Sequence, residues 1–321
     1  MLSLLFCLGS ACNYPAAEAT DVDNIVFFRG ICDGSAAVRI GNDQLLVAYD
    51  ETNELYLFDS HGGDVKNSFS LQQILPLADK TEMDLEASVV HGSSIWWVGS
   101  HGLDSDAGDS PNRRVLFRTS IPKPHDDTLN LLSAVHDISA LIEQVVGEQV
   151  RSLAPKKGGV SVEGLSVTSE GDLLVALRSP LTDGLQGDAY VIQITQRNGD
   201  FELVNSHTLS LSNRGIRDLV KSDNGYLLLA GDIDNGGDFT LYRWLPDGNT
   251  VELESIPSNF NAEALVDMDT YWLVLSDDGK VKRPDTSAKD GDRRCDKIYK
   301  STSDSSATSV YFRAIKFIPE N

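Results

Sequence analysis

The chain has 321 residues, 41% of them hydrophobic, which is enough for a sizeable core and excludes both intrinsic disorder and a disulfide-dependent miniprotein. Forty-eight acidic against 27 basic residues leave a formal net charge of −21, which repels a phosphate backbone and excludes nucleic acid as a partner.

The first eight residues (MLSLLFCL) are apolar, Gly9, Ser10 and Ala11 are small, and Cys12 opens a polar stretch that runs to Asn24. This pattern resembles a bacterial lipoprotein leader. It departs from one at two points: no Lys or Arg precedes the apolar run, and Gly9 stands where a Leu is expected three residues before Cys12. The run is also shorter than the roughly 20 residues that cross a bilayer. Residues 1–24 are expected to be an export leader and tether, and residues 25–321 a single domain. The expected location is the periplasm, or the bacterial envelope through a lipid on Cys12, with a frayed cytoplasmic N-terminus as the alternative. Outside this leader only Cys32 and Cys295 remain. They either form a disulfide across nearly the whole domain or stay as two buried thiols, and with no CxxC partner they do not suggest zinc.

Five apolar β segments follow in order: 44–49 (QLLVAY), 94–98 (SIWWV), 172–177 (DLLVAL), 225–230 (GYLLLA) and 271–275 (YWLVL). Each ends in a polar or charged cluster and is preceded by a second short segment, so that marked positions pair as 35 with 50, 86 with 101, 163 with 178, 218 with 232 and 263 with 277. The physical reading is a strand, a tight turn and an antiparallel return, which brings both marked residues to one edge of the sheet. Gly41-Asn42-Asp43, His91-Gly92-Ser93, Ser169-Glu170-Gly171 and Asp223-Asn224-Gly225 supply turn residues. Further strands are expected at 54–59, 114–120, 189–195, 239–244 and 311–318, with fourth strands at 201–209 and 251–256. Three or four strands per unit predict an all-β propeller of five blades, with end segments 24–29 and 311–318 either completing the last blade or building a sixth. One inserted helix is expected near 126–150, where Leu131, Val135, Ile138, Ile142 and Val145 follow helical spacing behind Asp126-Asp127-Thr128.

The runs CDGSAA (32–37), DLEA (84–87), GSHG (99–102) with NRR (112–114), VEGL (162–165), GIRD (215–218), LYRW (241–244) and LSDDG (275–279) resemble the bacterial family called domain of unknown function 3616, over residues 27–317. The repeated Glu-Gly motif is similar to that of the group described as having esterase-like activity of phytase, also taken to be propellers. The first resemblance implies no catalytic residue, because that family has no settled activity. The second suggests only an ester as substrate class.

In a propeller the inner-strand starts face the central channel. Asp33, Asp50, Glu51, Asp84, Glu86, His101, Glu163, Arg178, Arg217, Asp218, Asp232, Glu263, Asp277 and Asp278 are therefore expected to converge there. So many carboxylates repel one another unless a cation or arginines compensate them. Oxygen ligands suit Ca²⁺ or Mg²⁺, with Asp50, Glu86, Asp218, Asp232, Glu263 and Asp277 as candidate ligands and no organic cofactor. Arg178 and Arg217 are candidates to grip an anion, with His101 and Glu163 as acid–base groups. The competing reading is architectural, with repeated acids hydrogen-bonding the backbone of the neighbouring blade. Without a GxSxG, HExxH or phosphate-binding glycine loop, the commonest hydrolase, metalloprotease and nucleotide-binding classes are not indicated. Two functions stay open: a monomeric, exported, divalent-cation-dependent hydrolase of phosphate or carboxylate esters acting on a small anionic substrate, and a non-catalytic propeller that binds an envelope protein.

Overall fold

The computed structural model describes residues 24–77, 81–123, 126–234, 237–285, 291–301 and 308–318. The expected leader with Cys12 lies outside the described residues. Alternating apolar residues build five antiparallel sheets. Blade 1 consists of Ala36–Ile40, Gln44–Ala48, Glu54–Asp59 and Asn67–Ser70, and blade 2 of Leu85–His91, Ser94–Gly99 and Leu116–Ser120. Blade 3 consists of Ser161–Val167, Leu173–Asp183, Gln186–Arg197 and Asp200–Leu209. Blade 4 consists of Gly215–Ser222, Gly225–Gly231, Thr240–Trp244 and Thr250–Ser255. Blade 5 takes Ala262–Asp267, Trp272–Ser276 and Tyr311–Phe317 from the C-terminal part and Ile25–Arg29 from the N-terminal part. The innermost strands touch in the cyclic order 1, 2, 3, 4, 5 and back to 1, which closes the ring.

The end segments complete blade 5 and do not build a sixth. Ile25–Arg29 pairs antiparallel with Tyr311–Phe317, placing Phe28 opposite Phe312, and the open edge that a terminal blade would expose is thereby used. Phe28, Phe58 and Phe312 pack as one aromatic group with ring centroids 5.0–5.9 Å apart. Cys32 and Cys295 form a disulfide that ties the start of blade 1 to a short helix, Cys295–Ser301, that the sequence patterning did not suggest.

Each of the five apolar cores fills the space between two adjacent blades. Strand alternation decides which core a residue joins: Trp97 packs between blades 1 and 2, while its neighbour Trp96 packs between blades 2 and 3. Close approach of the blades also needs Gly215, because a Cβ there would lie 2.0 Å from the Arg178 carbonyl oxygen.

The inserted helix is shorter than expected, covering only Ser139–Val146. Upstream of it the chain runs beside the outer edge of blade 2. His136 and Leu116 exchange both backbone hydrogen bonds at 2.9 Å, and Thr119 bridges to Leu131. Blade 2 has three regular strands, and its unsatisfied edge recruits this segment as a partial fourth. Leu131 and Val135 turn inward against that blade, which is why their spacing imitated a helix.

Candidate functional site

Bulges build one end of the channel. In four blades the pairing of the first strand with the second skips one residue, and that residue is Glu86, Glu163, Arg217 or Glu263. An unpaired bulge residue is re-aimed out of the alternating pattern, which is how a strand can deliver a charged side chain toward the axis while its neighbours remain in the core. Blade 1 pairs without a shift at this level and has Ser35 there, bonded to the Ala48 carbonyl at 3.2 Å. The blade-4 position therefore belongs to Arg217 and not to Asp218. Both Asp218 oxygens instead accept backbone N–H groups at 2.7 Å, from Leu219 in its own blade and from Leu265 in blade 5. Burial pushes the Asp218 carboxyl up to about 7. This is the architectural role set against metal ligation in the sequence reading.

The channel end divides into two halves of different electrostatics. On the side of blades 3 to 5, arginines compensate the acids. Arg178 Nη1 lies 2.5 Å from Glu163 Oε1, and Arg217 Nη1 lies 3.2 Å from Glu163 Oε2 and 2.9 Å from Glu263 Oε2. Arg217 Nη2 also donates to the Asp232 carbonyl at 3.1 Å, and its guanidinium lies 5.4 Å from the centre of the Phe239 ring. Ser161 donates to Glu163 at 3.3 Å. Asn261, which the sequence reading missed, donates to Glu263 at 3.3 Å and to Asp277 at 2.9 Å. Burial pushes Glu263 up to about 7 even though Arg217 pulls it down.

On the side of blades 1 and 2 the acids crowd together with less compensation. Burial holds the Asp33, Asp50 and Glu86 carboxyls well above the usual carboxylate range, and the neighbouring charges add to the shift. Asp50 and Asp277 act on Asp33, Asp84 and Asp277 on Asp50, and Asp84 and Glu163 on Glu86. Asp33 is almost wholly buried, and the neighbouring Asp50 raises its affinity for a proton further. The cation on this side is Arg113, 3.2 Å from Asp84 and 2.7 Å from Glu82. Asp277 is raised by burial, while the Gly279 N–H at 2.7 Å pulls it down.

Several expected residues stand outside this ring. Asp232 is exposed and reaches Arg217 only through its backbone oxygen. Glu51 turns outward to Lys300, and Asp278 is neutralised by Arg283 and Arg313 at 2.7 Å. His101 lies in a separate cleft beside the inserted helix, where its charged neighbours are Asp137 and Arg114. It is therefore not a channel base. The donor set of the ring, carboxylate oxygens with raised affinity for protons, suits a hard cation. Among the described residues, no three His, Cys, Asp or Glu side chains already converge as a ligand cage. The opposite mouth of the channel is a cavity of 270 Å³ lined mainly by apolar residues of all five inner strands, with Arg39, Lys221 and Asp267 among them.

The family described as "Protein of unknown function (DUF3616)" matches residues 33–115 and 123–272, well over half of the chain. The chain belongs to this family. No curated protein matches it. Among solved structures, the chain is similar to an aldose sugar dehydrogenase from Streptomyces coelicolor in its PQQ-bound form, at 8% identity over 91% of this chain and 98% of that one, with a TM-score of 0.44. It is also similar to virginiamycin B lyase from Staphylococcus aureus, at 12% identity over 83% and 72% of the two chains, with a TM-score of 0.36. A putative 6-phosphogluconolactonase from Bacteroides uniformis is 15% identical over 77% and 66%, with a TM-score of 0.36. Among the described residues no helix is long and apolar enough to cross a membrane.

Proposed function

We propose that the acidic end of the channel is a divalent-cation centre and that the protein is an exported, cation-dependent hydrolase of small phosphate or carboxylate esters. The observation that carries this reading is the imbalance between the two halves: Glu163 and Glu263 meet arginines, whereas burial and neighbouring acids hold Asp33, Asp50 and Glu86 well above the usual carboxylate range. A bound Ca²⁺ or Mg²⁺ would relieve the same repulsion and polarise an ester oxygen. Asp50, Glu86 and Asp277 are the residues that would hold it. Arg178, whose guanidinium pairs with Glu163 at the channel, would orient an anionic substrate. The Cys32–Cys295 disulfide supports export, since such bonds persist in oxidising compartments. Similarity to the esterase-like phytase group agrees with the substrate class.

One observation favours a second reading, in which the propeller binds a partner at the envelope through the same cation and performs no chemistry. Arg217, the most buried cation of the ring, already spans Glu163 and Glu263 and so is committed to holding blades together. A screen of nitrophenyl phosphate and acetate esters, run with Ca²⁺, Mg²⁺, Mn²⁺ or a chelator, separates the two. Cation-dependent turnover that is lost in Glu86→Gln and Asp50→Asn supports the hydrolase. Cation binding without turnover of any ester supports the binding propeller.

A further inference from the structure

The cleft that holds His101 contains a second set of chemical groups, separate from the acidic ring. His101 follows the second strand of blade 2 with a φ of +52°, a left-handed conformation unusual for a residue with a side chain, and its side chain is fully enclosed. The ring Nδ1 lies 3.5 Å from Ser139 Oγ and 3.8 Å from Asp137 Oδ1. Nε2 is buried without a partner of good geometry, and the ring's other polar contact is with the Val115 backbone. Burial lowers the imidazole to about 4, against the opposing pull of Asp137, so at neutral pH the ring is uncharged, and in its Nε2–H tautomer Nδ1 accepts a proton.

Ser139 opens the inserted helix, Ser139–Val146. Its own N–H donates to Asp137 Oδ1 at 2.9 Å, and Asp137 Oδ2 lies 3.5 Å from Arg114 Nε, so Asp137 fixes the backbone that carries Ser139. Ala140 lines the same cleft, and its N–H belongs to the first helical turn, where N–H groups have no intrahelical acceptor and the helix end favours negative charge. The cleft has a volume of 380 Å³, with Leu103, Val150, Leu153 and Val160 forming its apolar wall and Arg114 and Arg151 among its polar residues. A hydroxyl, a neutral base facing it, the Ala140 N–H beyond it and an apolar wall together make the arrangement that acyl transfer requires.

We propose that Ser139 and His101 form a nucleophile–base pair that cleaves small carboxylic esters in this cleft without a metal. Ser139 Oγ adds to the ester carbonyl carbon while its proton passes to His101 Nδ1. The carbon–oxygen bond to the alcohol breaks, and the alkoxide leaves with that proton. Water, deprotonated by the same nitrogen, then hydrolyses the acyl–Ser139 ester and returns the serine hydroxyl. The Ala140 N–H at the helix start, which lines the cleft, would stabilise the oxygen that carries charge in the addition step. No step involves the channel carboxylates, so this site stands or falls apart from the cation centre.

The test is covalent labelling of the intact chain with a fluorophosphonate. The probe loses fluoride as Ser139 Oγ bonds to phosphorus, with His101 taking the hydroxyl proton. The expected result is one phosphonate adduct per chain, mapped to Ser139 by peptide mass spectrometry. Labelling should be absent in Ser139→Ala, at least tenfold slower in His101→Gln and unchanged by a chelator. Melting temperatures of all variants show whether they fold. No adduct, an adduct on another serine, or labelling in folded His101→Gln at the parent rate overturns the proposal.

Discussion

Arg217 offers the sharpest test of how the ring is held together. Its side chain is fully enclosed and forms ion pairs with Glu163 at 3.2 Å and with Glu263 at 2.9 Å. Arg217→Met keeps much of the volume and removes the charge, leaving two carboxylates facing each other out of water. Breaking a buried pair in this way costs about 3–5 kcal/mol, and loss of the contact with Phe239 adds about 0.5–1. The lower part of that range applies near neutral pH, because Glu263 already titrates at about 7 and can shed its charge by taking a proton. At about 2 °C per kcal/mol for a domain of this size, the melting temperature should fall by roughly 7–12 °C at pH 8. The pH dependence has a definite sign. The folded Glu263 binds its proton near 7 and the unfolded one near 4.5, so its contribution is fully present below 4.5 and is lost as pH rises toward 7. Without Arg217 that folded value moves higher still and the window extends upward, so the deficit of the variant should shrink between pH 8 and pH 5.5. Changing the pair together, as Arg217→Met with Glu263→Gln, should recover most of the loss, because Glu163 keeps Arg178 and no buried charge then lacks a partner. Calorimetry of the three proteins across that pH range checks this. A single variant that melts within about 2 °C of the parent, or whose deficit does not change with pH, refutes the electrostatic account.

Replacing Cys32 and Cys295 by serine opens the covalent closure across 263 residues of sequence, and a loss of about 2–5 kcal/mol is expected in urea unfolding. In that variant, hydrogen exchange should rise first at Ile25–Arg29 and Tyr311–Phe317, the strands that join the chain ends in blade 5. Asp218→Ala leaves the Leu265 N–H buried without its acceptor and should cost about 1–3 kcal/mol in the same assay. It should leave cation binding unchanged, which separates its architectural role from that of the ring acids.

The blade count was legible because each apolar run ends in a charged cluster at nearly constant spacing, and that spacing is set by a hairpin. The acidic edge was legible for the same reason. The exact occupant in blade 4 was not: a bulge adds one residue to a strand without changing its composition, so nothing in Gly215-Ile216-Arg217-Asp218 says which residue is extruded. Asp232 misled because it occupies the same position in the repeat as Asp50 and Asp277, whereas its side chain is exposed and packs against Gly237, where a Cβ would lie 1.8 Å from Oδ2. The helix was overextended because an edge segment that buries every fourth residue against a sheet has the same apolar spacing as a helix. Ser139 and Asn261 carried no signal. The first lies 38 residues from its partner histidine, and the second is an isolated amide whose only distinction is that it bridges two carboxylates.

The most direct test of the cation centre is calorimetric titration of Ca²⁺ into the intact protein at pH 6.5, repeated in buffers of different ionisation heat. Because Asp33, Asp50 and Glu86 hold protons well above the usual carboxylate range, a cation that takes their place must release them. The account predicts saturable binding of one Ca²⁺ per chain with about one proton released, and loss of both the heat and the proton release in Asp50→Asn. Absence of saturable binding by Ca²⁺, Mg²⁺ and Mn²⁺, or binding that releases no proton, would contradict it.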